Sequence, residues 1–279
     1  MDKLYISKRD ASFDHLIKKT PASIVGKLID KPTIIYEAGE PILGYFFMPD
    51  SLMKDVRRAA MSVKLSNDHR TWGLPTKSVV LGVMPRHSTM NNYCRFTSPT
   101  KKEISNFAIL STALEYAASL YERYFPEHYK AAKEEIASSV DKSWRYNDTP
   151  YLTINVNVNH AIKYHRDNGN FKSALSTVLI VKHNIRGGEL CCPELGVTLS
   201  QRGSALTLFD GRSLVHGITP IAPTGPNAIR ASIVFYSMSN LKHCYPYSKE
   251  FERVKIVSTE KARVAATTEN RLLLAKICA

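Results

Sequence analysis

Residues 150–170, PYLTINVNVNHAIKYHRDNGN, mark the point where the chain changes character. From here to Met238, short runs rich in Val, Ile, Leu, Thr, Phe and Tyr recur between turn residues, the composition of strands rather than helices. The runs are Tyr151–Val158, Ile162–His165, Ser176–Lys182, Glu189–Cys192, Val197–Ser200, Ala205–Phe209, Leu214–Ile221 and Ile229–Met238. Turns such as Arg186-Gly187-Gly188 and Thr224-Gly225-Pro226 separate them. Closely spaced strands of this kind predict two packed antiparallel sheets or a jelly roll.

Upstream of this region the pattern is helical. Residues 51–66 and 104–140 carry apolar residues at helical spacing, among them Ile104, Phe107, Leu110, Ala113, Leu114, Ala117 and Leu120, with a break expected near Pro126. Between them, Lys77–Val83 and Asn92–Thr97 read as short strands around a turn at Met84–Thr89. The fold class is therefore α+β. A jelly-roll core is expected over about residues 146–240, with N-terminal helical support over about 1–145 packed on one sheet. A C-terminal extension over about 241–279 is expected to close the domain with a short helix at Glu269–Cys278. All 279 residues are read as one domain, a length at which one large β-rich unit buries a sizeable core.

Composition narrows the setting. At 44% hydrophobic and 23% charged, the chain is ordinary for a soluble globular protein. It lacks a run of about 18 apolar residues and an N-terminal secretory signal, so a cytoplasmic or nuclear location, with no membrane and no secretion, is expected. The five cysteines, Cys94, Cys191, Cys192, Cys244 and Cys278, show no CxxC spacing and are read as reduced, mostly buried thiols. A formal charge of +13 suits a polyanionic partner, because phosphate contacts and electrostatic steering need positive surface.

The chemistry sits inside the strand-rich region. His165 and Asp167 are two residues apart, so on a strand or its extended end both side chains point the same way and can chelate a metal. His216 follows after four intervening runs, and a jelly roll can return it to the same place. Two imidazoles and a carboxylate on one face of an ion form the triad associated with non-haem Fe(II) oxygenases, which leaves three positions open. A 2-oxo acid fills two of these and O₂ the third. The far carboxylate of such an acid then needs a cation. The Pro/Gly-rich link Thr219–Asn227 lets Arg230 run back beside His216, and Ser232 shares its face and can add a hydroxyl donor. The remaining histidines, among them His160 and His183, are read as surface or capping residues.

With these residues in hand, the region from about 145 to 238 resembles the double-stranded β-helix of the 2-oxoglutarate/Fe(II) dioxygenases. His165-Arg-Asp-Asn-Gly-Asn170, Gly187-Gly-Glu-Leu190 with Pro193–Val197, and Gly203–Phe209 resemble more narrowly the TET/JBP family, which oxidises the 5-methyl group of pyrimidines in DNA. The resemblance implies that Asn170 contacts a flipped base. It also implies that an upstream arginine, with Arg70 and Arg86 as candidates, helps hold the cosubstrate. The chain looks like a compact member of the kind found in bacteriophages, protists or fungi. It is expected to use Fe(II), 2-oxoglutarate and O₂, with ascorbate as an accessory reductant. The expected partner is double-stranded DNA with a flipped 5-methylpyrimidine, handled by a monomer. The HRDxxN form favours 5-methylcytosine as substrate, with hydroxylation to 5-hydroxymethylcytosine expected and further oxidation of that product left open. Thymine in DNA, and a protein side chain as in prolyl hydroxylases, are alternatives with the same chemistry. A modified-DNA-binding barrel is the non-enzymatic one, against which an intact triad with Arg230 argues.

Overall fold

The computed structural model describes residues 1–7, 12–21, 24–68, 76–87, 92–257 and 259–260. Arg70 and the helix expected at Glu269–Cys278 lie outside the described residues.

The N-terminal support begins with strands, not helices. β1 (Asp2–Ile6), β2 (Lys27–Ile29), β3 (Thr33–Glu37) and β4 (Glu40–Phe47) all precede the first α-helix, α1 (Asp50–Ser62). The sequences of β3 and β4, TIIYE and EPILGYFF, are rich in β-branched and aromatic residues, which suit a pleated, half-buried surface. Ala38-Gly39 turns one into the other with both residues at positive φ (50° and 90°), the backbone a tight hairpin demands. Alanine is an unusual residue in such a turn, so the hairpin carries no Asn-Gly or Asp-Gly signal.

Next come β5 (Ser66–Asp68), β6 (Thr76–Met84), β7 (Arg95–Phe96), α2 (Ser98–Lys102), α3 (Ile104–Tyr124) and α4 (Pro126–Ser139). The expected break near Pro126 is present. Proline lacks the N–H that would continue α3, but it is well suited to the first turn of α4. Phe107, Leu110, Leu114, Ala117 and Tyr121 recur every three or four residues along α3 and are all buried, so one stripe of this helix faces the sheet.

The strand-rich region supplies β8 (Thr153–Val158), β9 (Ser176–His183), β10 (Ile185–Gly187), β11 (Leu190–Cys192), β12 (Val197–Leu199), β13 (Ala205–Phe209), β14 (Gly217–Ile218), β15 (Ile221–Pro223) and β16 (Ile229–Tyr236). Two expected strands shrink. Of Ile162–His165 only His165 pairs, in an isolated bridge to His216, and Leu214–Ile221 contributes that bridge, β14 and the start of β15.

The major sheet runs β1-β3-β4-β13-β9-β16-β8-β6-β5, with β7 beside β6, and β14-β11-β12-β2 form a smaller sheet. β1–β3 and β2–β12 pair in parallel, whereas the central strands β13, β9, β16 and β8 are antiparallel. One face of the major sheet packs on the helices. There Leu206, Leu208, Ile233 and Phe235 join Leu110, Leu114 and Trp144 in one core. The other face meets the smaller sheet, where Ala205 and Phe209 join Leu190, Val197 and Leu199. All five residues of β13 are buried because both of its faces are covered, so four of the five, all but Thr207, are apolar.

The cysteine expectation needs correction. Cys94 and Cys244 form a disulfide with Cα atoms 5.6 Å apart, joining residues 150 positions apart that only the tertiary fold brings together. Cys191 and Cys192 are buried thiols, as expected. Beside the disulfide, the buried Glu250 carboxylate accepts hydrogen bonds from the Cys94 N–H (3.1 Å), the Tyr245 N–H (3.0 Å) and the Arg86 guanidinium. Replacing it leaves those donors buried without an acceptor. Glu250→Ala is therefore expected to lower unfolding stability by about 2–4 kcal/mol, read as a fall in the urea midpoint at unchanged slope.

Candidate metal centre and cosubstrate pocket

The two histidines of the expected triad sit opposite each other on neighbouring extended segments. His165 N–H donates to His216 C=O (2.9 Å) and His216 N–H donates to His165 C=O (3.0 Å), the reciprocal exchange of an antiparallel hydrogen-bonded pair. Directly opposite residues in such a pair put their side chains on one face, and the two rings lie with centroids 4.3 Å apart. Two residues on, Asp167 N–H donates to Gly211 C=O (2.8 Å), which brings its carboxylate to the same side.

The three side chains converge. Asp167 Oδ1 is 3.5 Å from His165 Nε2 and 3.9 Å from His216 Nε2, and one ligand atom from each residue lies within 4.8 Å of the others. Neighbouring positions on an octahedral ion with bonds of about 2.1 Å are about 3 Å apart, so modest closure suffices to seat a metal on this face. Each imidazole has its outer nitrogen fixed by the chain: Nδ1 of His165 meets Lys163 C=O (2.8 Å) and Nδ1 of His216 meets Leu214 C=O (2.9 Å). Carbonyls accept only, so each Nδ1 carries a proton and each Nε2 faces inward, where it can serve as the metal ligand once it carries no proton. Burial pushes the His216 pKa down to about 4 against the opposing pull of Asp167, which keeps that ring neutral and ready to ligate. For His165, burial also disfavours the charged ring, but the hydrogen bond and charge of Asp167 outweigh it and raise the pKa. Burial likewise works against the Asp167 carboxylate, yet the His165 hydrogen bond and both imidazoles hold it below the usual range.

Residues outside the sequence reading hold the triad in place. Arg166, between the two ligands, donates to Asp14 Oδ1 (3.0 Å), Glu194 Oε1 (2.6 Å) and the Ser213 carbonyl, and Glu194 Oε2 accepts from Val215 N–H (3.1 Å). This ties the His165–Asp167 segment to the residues that carry His216. Gly211 leaves room for the carboxylate, because a Cβ there would stand 2.3 Å from Asp167 Oδ2.

Arg230 lies on β16, paired with Lys182 on β9, and is 1% exposed. Its Nη1 reaches His160 C=O at 3.4 Å, but Nε and Nη2 meet no hydrogen-bond partner among the described residues. Burial lowers its pKa to about 10, with Glu189 opposing, so the group stays charged at neutral pH. A buried cation without a counter-ion is costly, by several kcal/mol, unless a ligand supplies the anion. Gly188, at φ +78°, makes the approach of this side chain possible, since a Cβ would meet Arg230 Cδ and Nε at 2.7 Å.

A cavity of about 480 Å³ joins the two halves of the site. His165, Asp167, His216, Arg230, Ser232 and Asn170 all line it, along with the apolar side chains of Val178, Leu190, Phe209, Ile218 and Val234. The other sequence expectations fare differently. Arg86 is not among the lining residues: its guanidinium is engaged by Glu250 and stacks on Tyr245, 4.2 Å from the ring centroid. His160, read as a surface or capping residue, is 2% exposed and lines the cavity. Asn170 is buried, with Nδ2 donating to Ser176 Oγ (2.8 Å) and its backbone carbonyl accepting from Arg212 Nη1 (2.8 Å). Glu194, Gly211 and Gln201 also belong to the site. Glu194 and Gly211 touch it only through contacts between distant segments, which spacing in sequence does not reveal.

A jelly roll that brings a His-Asp-His face and a buried, unmatched guanidinium into one cavity defines an oxygenase domain of the 2-oxoglutarate/Fe(II) class. Residues 85–239, more than half of the chain, match Tet_JBP, described as the oxygenase domain of the 2OGFeDO superfamily, and the chain belongs to this family. It is 26% identical over 216 residues to thymine dioxygenase JBP1 of Trypanosoma brucei brucei, covering 76% of this chain and 25% of that protein. It is 25% identical over 226 residues to the bifunctional helicase and thymine dioxygenase JBP2 of Leishmania braziliensis, covering 77% of this chain and 20% of that protein. The chain thus spans a quarter or less of the length of these curated relatives. Among solved structures, NgTET1 in complex with 5mC DNA shares the fold, with a TM-score of 0.59 and 13% identity over 83% of this chain and 92% of that one.

The crowding at Gly211 generates a test. Gly211→Ala drives the Asp167 carboxylate off its present position, and Fe(II) affinity is expected to fall about 10- to 100-fold. Anaerobic metal titration reads this directly, with circular dichroism unchanged.

Proposed function

We propose that this chain is an Fe(II)- and 2-oxoglutarate-dependent dioxygenase that hydroxylates the 5-methyl group of 5-methylcytosine in DNA to give 5-hydroxymethylcytosine. The observation that carries the reading is the shared cavity: three metal-ligand atoms within 4.8 Å and a buried guanidinium with Nε and Nη2 unmatched. His165, Asp167 and His216 would hold the iron. Arg230, assisted by Ser232, would hold the distal carboxylate of 2-oxoglutarate, where a planar guanidinium offers two parallel N–H donors. Iron, 2-oxoglutarate and O₂ together would supply an oxidant able to break a methyl C–H bond: one oxygen atom would go to the succinate formed with CO₂ from 2-oxoglutarate, and the other to the methyl carbon as the new hydroxyl.

The chain's own residues do the rest. The two fixed imidazole tautomers and the Arg166–Glu194 tie keep the metal face in one geometry. Val178, Leu190, Phe209, Ile218 and Val234 give the cavity apolar walls that limit water. A methyl group inside a duplex cannot reach a cavity in the protein interior, so the target nucleotide flips, at a cost of a few kcal/mol in unstacking. The net positive chain offers phosphate contacts for the flanking strand. With its amide nitrogen held by Ser176, Asn170 offers a base its carbonyl oxygen, an acceptor that the N4 amine of 5-methylcytosine or the N3–H of thymine can satisfy.

Thymine in DNA is the second reading, and it is favoured by the relatives named thymine dioxygenases. Nucleoside mass spectrometry separates the two after incubation with enzyme, Fe(II), 2-oxoglutarate and ascorbate. 5-Hydroxymethylcytosine from methylated DNA is the expected product. 5-Hydroxymethyluracil from thymine-only DNA would replace the first reading with the second, and succinate without either base product would remove DNA as the substrate. Asn170→Ala is expected to lower oxidation of DNA about 5- to 30-fold while leaving anaerobic Fe(II) binding within about 2-fold, since one buried hydrogen bond is worth about 1–2 kcal/mol.

A further inference from the structure

Gln201 lies just beyond β12 and, like Arg230, is a buried polar side chain in the cavity whose hydrogen bonding is incomplete. It is 0% exposed, lines the cavity with Arg230 and Ser232, and its Oε1 meets no partner among the described residues. Its Nε2 makes one long contact, to Thr207 Oγ1 on β13 at 3.4 Å. The backbone holds the residue firmly, because Gln201 N–H donates to Glu189, whose other oxygen takes Lys182 Nζ at 3.1 Å. Glu189 is also the carboxylate whose charge acts on Arg230, and both Gln201 and Arg230 line the same cavity.

We propose that Gln201 is a second binding group for the distal carboxylate of the 2-oxo acid, a step that rests on the iron and 2-oxoglutarate reading above. The two ends of a carboxamide have the same shape, and the Thr207 hydroxyl can serve either one. With the amide turned over, Thr207 donates to Oε1 and the Nε2 hydrogens face the cavity. The cavity then holds a matched donor set: Nε and Nη2 of Arg230, the hydroxyl of Ser232 and the amide of Gln201. A carboxylate has two oxygens and about four lone-pair sites to receive them. Binding satisfies the amide and guanidinium groups at once, and a buried polar group that gains its partner only with ligand favours that ligand over shorter analogues. Gln201 thus sets the preference for a 2-oxo diacid over a 2-oxo monoacid.

The test is an anaerobic titration followed by the visible charge-transfer absorption of Fe(II) with a 2-oxo acid. It uses the full chain, with 2-oxoglutarate and pyruvate as the two probes. Gln201→Leu keeps the size and removes the hydrogen bonds, and Gln201→Glu sets a carboxylate against the incoming one. Affinity for 2-oxoglutarate is expected to fall about 10- to 100-fold in the first variant and further in the second, the range set by a hydrogen bond to a charged group. Affinity for pyruvate, which has no distal carboxylate, is expected to stay within about 2-fold in Gln201→Leu. Unchanged 2-oxoglutarate affinity, or equal losses for both acids, would overturn the assignment. Thermal melts check folding, and if Gln201→Leu does not fold, Gln201→Asn withdraws the amide by one carbon and replaces it in the comparison. Absence of any absorption with the unmodified protein sinks the iron and 2-oxoglutarate reading itself, and Gln201 with it. A signal in the unmodified protein that the variants leave intact sinks only the role of Gln201.

Discussion

The site depends on a pair of backbone hydrogen bonds. His165 and His216 each donate to the other's carbonyl, and this exchange alone puts two imidazoles from distant parts of the chain side by side. Everything else at the metal face follows from it. Asp167 takes its place because the same segment continues to Gly211, and the outer ring nitrogens are fixed by carbonyls two residues back in each segment. Neither histidine belongs to a long strand. The bridge is isolated, and the Arg166–Glu194 ion pair with the Val215 contact supplies the rigidity that a ladder would otherwise give.

At the other end of the cavity, the fold holds a cation where hydrophobic packing alone would exclude one. Arg230 occupies the inward face of β16 in the middle of the major sheet, and its partners are few: one long contact to His160 C=O and the field of Glu189. Burying such a group costs free energy that an anionic ligand can offset, and its presence there is the clearest physical sign of one. The apolar walls strengthen the effect, since a charge interaction gains as water is excluded.

The sequence made part of this legible, and the limits have physical causes. Ala205–Phe209 and Ser176–Lys182 read cleanly because both faces of those strands are largely covered, so apolar residues fill most positions instead of alternating with polar ones. The HxD pair and Arg-x-Ser were readable because the period of two along extended chain fixes which side chains share a side. The N-terminal strands were not, because β2 is three residues long and the β3–β4 turn uses Ala38-Gly39. Arg86 looked like a cosubstrate ligand by its place upstream, whereas its partner Glu250 lies 164 residues away. The Cys94–Cys244 disulfide was hidden for the same reason. Pairings of that range are properties of the fold and leave no local pattern.

The parallel pairing of β2 with β12, and the antiparallel pairing of β4 with β13, carry one more consequence, which concerns time. Lys27 meets Val197 and Phe47 meets Ala205, so strands near the start of the chain wait for partners synthesised long afterwards. Contacts of such wide separation close slowly, because the loop entropy is lost before the pairing is gained. During synthesis the β3–β4 hairpin stands with an open edge until β13 arrives. The metal face closes later still, since His216 follows β13. Arg230, Ser232 and Val234, which also line the cavity, come later again on β16, so the site is among the last parts of the domain that synthesis can complete.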